Sequence, residues 1–127
     1  VILNEPILWR WFYSFIFTLS VEVPIFMLFA YKQNVPWWRA ALAGAAGTCF
    51  THPALWFMWR PMFDVYFYYI ISGELLVSCI ESFTFWSIAR PINLTRAISA
   101  AFIANAGSYG LGNLLRYLDL WKYMPFY

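Results

Sequence analysis

Charge is scarce in this chain of 127 residues. Asp, Glu, Lys and Arg together make up 11% of it, against roughly 25% in a soluble domain. The net charge is only +2. There is no basic run and no groove pattern of interleaved aromatics and cations, which excludes nucleic-acid binding. Cysteine is limited to Cys49 and Cys79, both within apolar stretches, where a thiol is expected to pack as a small hydrophobe rather than form a disulfide. Also missing are a Gly-rich phosphate loop, Gly-x-Ser-x-Gly, HExxH, a Ser–His–Asp or Ser–Lys set, and haem-attachment or iron–sulfur spacings. Catalysis therefore has little support, and no motif requires a cofactor. No cleavable signal is expected, because the first apolar stretch is too long for a signal core and no A-x-A site follows it.

What the chain has in quantity is apolar surface, with 63% hydrophobic and 24% aromatic residues. Four apolar stretches, 7–31, 36–59, 65–89 and 95–118, fill nearly all of it. Each exceeds the ~20 residues that cross ~30 Å of hydrocarbon at 1.5 Å per residue. The expected fold is all-α: an integral-membrane four-helix bundle, with residues 1–127 as one transmembrane domain. Asn34 and Pro36 punctuate the first loop, Arg60-Pro61 the second and Arg90-Pro91 the third, and Asn93 or Thr95 can cap the last helix. Trp9, Trp37, Trp38, Trp59, Tyr117 and Trp121 fall at span ends, where amphipathic rings favour the headgroup layer. Lys and Arg divide evenly between the two faces. Acidic Glu5, Asp64 and Asp119 all lie opposite the first and third loops, so those two hairpin loops are assigned to the cytoplasm of a cell-membrane protein.

The chain reads as a duplication. Glu22 and Glu81 each sit inside a helix that leads through a Pro-containing loop to Arg-Ala, at Arg39-Ala40 and Arg96-Ala97. Small residues then lead to polar pairs three apart, Thr48 with Thr51 and Asn105 with Ser108. One gap of two residues aligns all these features. Two tandem two-helix units would share one orientation and be related by a pseudo-twofold axis along the membrane normal. Glu22, Thr48, Glu81 and Asn105 would then lie at one depth, near the midplane.

The few polar residues inside the apolar stretches are the best clue to function. Glu74, Ser78 and Glu81 recur at i, i+4 and i+7, along one face of the third helix. Carboxyls close together in low dielectric do not all ionise cheaply, so at least one is expected to carry a proton. The competing reading is of carboxyls held by Ser78, Thr48 or Asn105 as interhelical glue, worth ~0.6–2 kcal/mol per bond. Pro24 is expected to kink the first helix beside Glu22, and Pro53 to loosen the second beside His52. His52, the only histidine, reads mainly as a packing residue; its minority role is as a pigment or metal ligand. Ala40, Gly44 and Thr48, then Ala104, Ser108 and Gly112, recur every four positions and form faces that let helix backbones approach. The bulky faces (Trp11, Phe12, Phe15, Phe26; Phe67, Phe83, Phe85) read as surface for lipid, a pigment or quinone, or a neighbouring subunit.

Taken together, the sequence favours a non-catalytic subunit of a larger bioenergetic or transport complex, packed against other membrane subunits and lipid. A small proton- or cation-coupled transporter or channel built on the midplane glutamates is the alternative. A pigment- or quinone-binding protein comes third.

Overall fold

The computed structural model describes residues 6–120. Its helices are α1 (Ile7–Ala30), α2 (Trp37–Ala54), α3 (Tyr66–Ile88) and α4 (Leu94–Tyr117), with a π turn (Leu55–Trp59) and a 3-10 turn (Arg60–Met62) between α2 and α3. They form an all-α four-helix bundle in which α1 and α3 each pack against both α2 and α4.

Local chemistry sets the helix limits. Pro36 stands just before α2 with φ −59°, where its missing N–H costs nothing. Asn93 caps α4, its Oδ1 accepting the Arg96 amide at 2.8 Å, so of the two expected caps it is the asparagine that serves. Pro53 leaves the Cys49 carbonyl without its helical donor, and the chain widens into the π turn two residues later. Pro24 does not end its helix. α1 runs as one uninterrupted helix through it, and the Ser20 hydroxyl donates to the Phe17 carbonyl at 2.7 Å rather than compensating at the proline.

The half of the bundle nearest the α1–α2 and α3–α4 loops is dry and tightly packed. Phe26 and Phe85, both 0% exposed, meet across its centre with ring centroids 4.7 Å apart. Buried Ala40, Ala43, Ala97, Ala100, Ala101 and Ala104 surround them. Small side chains on α2 and α4 let those backbones close onto the aromatic pair. A Cβ built on Gly44 would lie 2.8 Å from the Phe26 ring. The sequence placed these two phenylalanines on an outer aromatic surface; the bundle instead makes them its plug, because α2 and α4 are too slender to fill the centre themselves. At this same end Arg39 donates to the Arg90 carbonyl (3.2 Å) and Arg96 to the Phe29 carbonyl (3.1 Å). Each guanidinium thereby ties one hairpin to the end of the other.

The outside is apolar. Leu28 and Phe50 are each 70% exposed, and Trp37, Met58, Phe67 and Phe83 are also open. Cys49 and Cys79 are free and exposed on this surface, not packed inside as small hydrophobes. Among the described residues, one helix, α1, is long and apolar enough by length and composition to cross a membrane, with a mean hydropathy of 1.8. The Gly, Ser and Thr of α2 and α4, with Arg39, His52, Asn105 and Asn113, lower their hydropathy, and α3 carries two glutamates.

Candidate functional site

Away from the aromatic plug the bundle opens into a cavity of about 470 Å³. Its mouth lies at the end opposite the two hairpin loops, near Arg60, Tyr66, Asn113 and Arg116. Its floor is formed by Glu22, Glu81, Thr48, Thr51, Asn105 and Ser108.

Each glutamate on that floor is only 1% exposed, and each accepts two hydrogen bonds, one per carboxyl oxygen. For Glu22, Oε2 accepts from the Thr48 hydroxyl at 2.7 Å and Oε1 from the Ser108 hydroxyl at 2.7 Å. For Glu81, Oε1 accepts from the Thr51 hydroxyl at 2.6 Å and Oε2 from the Asn105 amide at 2.6 Å. Thr48 and Asn105 reach the glutamate of their own hairpin, whereas Thr51 and Ser108 cross to the other. Buried carboxyls are costly without such donors, and here every carboxyl oxygen has one.

The donors have a second property. Thr48 Oγ also lies 3.3 Å from the Gly44 carbonyl, Thr51 Oγ 3.0 Å from the Gly47 carbonyl, and Ser108 Oγ 3.1 Å from the Asn105 carbonyl. A hydroxyl has a single hydrogen, so each of the three serves either the carboxyl or the backbone at one time. Asn105, with two amide hydrogens, serves both Glu81 and the Ala101 carbonyl, the latter at 2.9 Å.

The remaining sequence candidates fall around this floor. Ser78 is buried, and its carbonyl accepts the Ser82 hydroxyl; the bonds to Glu81 come from Thr51 and Asn105 instead. Glu74 is half-buried on the cavity wall, two turns nearer the mouth than Glu81. His52 is 8% exposed and lies among the rings of Trp11, Phe15 and Trp56, at centroid distances of 6.3, 5.6 and 6.1 Å. Its Nε2 is 3.5 Å from Ser14 Oγ. Its Nδ1, like Trp11 Nε1, is buried without a partner among the described residues. Ala40, Gly44 and Ala104 pack in the dry half. Gly112 is half-buried and lines the cavity, where a Cβ would meet Phe17 only at 3.7 Å. Trp121, expected at a span end, lies outside the described residues.

Thr51 is the functional residue that reading the polar positions one by one misses. The duplication carried the signal, since it pairs Thr51 with Ser108. Ser14, Tyr69 and Arg116 carry no signal of their own in the sequence, because they join the cavity through helix rotation. No group of three or more His, Cys, Asp or Glu among the described residues is placed to hold a metal ion. No family model, curated protein or solved structure matches the chain.

Proposed function

We propose that this chain is a multi-pass integral-membrane protein that takes up a proton or small cation through a one-sided polar cavity and holds it at the Glu22–Glu81 pair, as a small ion-coupled carrier or channel. One observation carries the reading. The polarity of the bundle is inverted, with two carboxyls sealed at its centre at the end of an open cavity while Leu, Phe, Trp and Met cover the outside. In water such a surface would aggregate; in lipid it is the ordinary one, and ionisable groups turned inward mark ion pathways. Among the described residues α1 alone is long and apolar enough by composition to cross a membrane, which is consistent with this, since inward-facing Gly, Ser, Thr and Glu lower the average of a helix whose outer face remains apolar.

A tandem repeat is supported by matched bonds. The Thr48–Glu22 contact has its counterpart in Asn105–Glu81, Ser108–Glu22 in Thr51–Glu81, and the Arg39 clasp in the Arg96 clasp. A pseudo-twofold axis along the bundle would pass between Phe26 and Phe85. With the hairpin loops in the cytoplasm, the cavity faces the outer side and the plug closes the inner one.

The test is flux in liposomes reconstituted with the full chain. Protons, Na⁺ or K⁺ should move down an imposed gradient, and Glu81→Gln, which keeps the shape but removes the charge, should abolish the movement. If none of the three ions moves, this reading fails.

A second reading, a non-catalytic subunit of a larger membrane complex, is favoured by an apolar groove of about 200 Å³ on the outer face between α2 and α3, lined by Phe50, Met58, Leu76 and Ile80. It predicts a stoichiometric partner migrating with the chain on a native gel in mild detergent.

A further inference from the structure

We infer that the species handled at this site is the proton, loaded from the mouth side by way of His52 and held by a network that re-forms around it. This rests on the carrier reading for its setting, though not for its test.

The first ground is ligand count. A cation needs several oxygen lone pairs turned toward one point. Here all four carboxyl oxygens of Glu22 and Glu81 are already engaged by O–H or N–H donors at 2.6–2.7 Å. To ligate a cation the three hydroxyls would have to turn away together and the Asn105 amide would have to leave Glu81, whereas in the arrangement seen all four present hydrogens to the carboxyls. A proton asks for much less, namely one carboxyl oxygen and one acceptor.

The second ground is that the acceptor is already in place. When a proton binds Glu81 Oε1, the new O–H donates to Thr51 Oγ, and the hydrogen of Thr51 turns to the Gly47 carbonyl at 3.0 Å. At Glu22 the same exchange uses Thr48 with the Gly44 carbonyl, or Ser108 with the Asn105 carbonyl. One O–H bond forms, hydroxyls rotate, and none of the donors to the two glutamates is left unsatisfied in either state. Release reverses the step and returns the same proton.

The third ground is independent of the acids. His52 is more than nine-tenths buried, lines the same cavity and has an unpartnered Nδ1 among the described residues. It stands one residue mouthward of Thr51 and one turn mouthward of Thr48. A neutral imidazole there takes a proton at one ring nitrogen, passes one on toward the glutamates, and ends neutral.

The groups that face the pair come from every wall. α2 supplies His52, the turn after it Arg60, α3 Glu74, Tyr66 and Tyr69, and α4 Tyr109 and Arg116. From α1, Glu22 is the only ionisable residue lining the cavity. Arg60 and Arg116 lie near the mouth, and a proton relayed along hydrogen bonds can pass them.

Infrared difference spectroscopy of the full chain in lipid, recorded between acid and alkaline pH, tests the proposal without requiring transport. A carboxylic C=O band should appear on acidification, persist when Na⁺ or K⁺ is exchanged for choline, weaken in Glu81→Gln, and lose the contribution of the pair in the Glu22→Gln/Glu81→Gln double variant. Thr51→Val should shift that band, while Thr51→Ser, which keeps the hydroxyl, should leave it in place. His52→Gln should slow appearance of the band after a pH jump without removing it. A band that is absent at every pH, or that falls as Na⁺ or K⁺ is raised at constant pH, overturns the proton assignment. If the band behaves as expected but liposomes show no flux, the proton site stands and the carrier reading alone falls.

Discussion

At the residue scale the buried acid pair depends on donors more than on charge partners. Removing one donor leaves a carboxyl oxygen buried without its bond, a cost of about 1–3 kcal/mol. Thr51→Val and Ser108→Ala are each expected to destabilise the bundle by that amount, read as a lower unfolding midpoint in detergent. Thr51→Ser should cost much less, since it keeps the hydroxyl. If Thr51→Val were neutral, the bond across the two hairpins would contribute nothing. Phe85→Ala is a different kind of loss. It removes half of the aromatic plug and opens a void in the driest part of the bundle, for which about 3–5 kcal/mol is expected. The same substitution at exposed Phe83 should be nearly silent in the same melt. The amino-acid types at the acid pair were legible from the sequence, because Glu, Thr, Asn and Ser inside apolar runs stand out against the background. Their partners were not. Glu81 and Ser78 are neighbours on one helix face, yet the bonds to Glu81 come from Thr51 and Asn105, chosen by how α2 and α4 rotate against α3.

At the scale of elements, the slender helices α2 and α4 decide how the bundle closes. Gly44 lies directly against Phe26, and a methyl group there meets ring carbons that are themselves locked against Phe85. Gly44→Ala is expected to destabilise by about 1–3 kcal/mol through overpacking. Gly110, on α4 with nothing within 4 Å of a built Cβ, is the control. Gly110→Ala should be neutral or stabilise by about 0.5–1 kcal/mol through helix propensity. Thermal melts of the two variants side by side check both. The small-residue periodicity announced that α2 and α4 approach something closely. It did not reveal that the approach is onto an aromatic pair, because spacing records which face is small and not what fills the space opposite. Pro53 acted as its chemistry required, giving the π turn. Pro24 did not interrupt α1, since a helix packed on two neighbours can lose one backbone bond without breaking.

For the whole molecule, the decisive property is the inversion of polarity, and Cys49 and Cys79 offer a direct check of what surrounds it. Both thiols are free and exposed on the outer face of helix interiors. In intact membranes a membrane-impermeant, water-soluble maleimide should fail to label either one, and labelling should become complete once detergent denatures the chain. Ready labelling in intact membranes would mean that the outer face meets water, and the multi-pass reading would be wrong. The sequence by itself determined that four helices would form and that a handful of polar residues would sit within them, because hydropathy and helix-breaking residues act locally along the chain. It also marked the glutamates and the matched positions after them. Only the tertiary structure decided that Phe26 and Phe85 seal one half while the other half opens as a cavity. The same holds for the way each glutamate takes one donor from its own hairpin and one from the other. Those outcomes depend on the rotation and spacing of four packed helices, and such long-range geometry is not encoded at any single position.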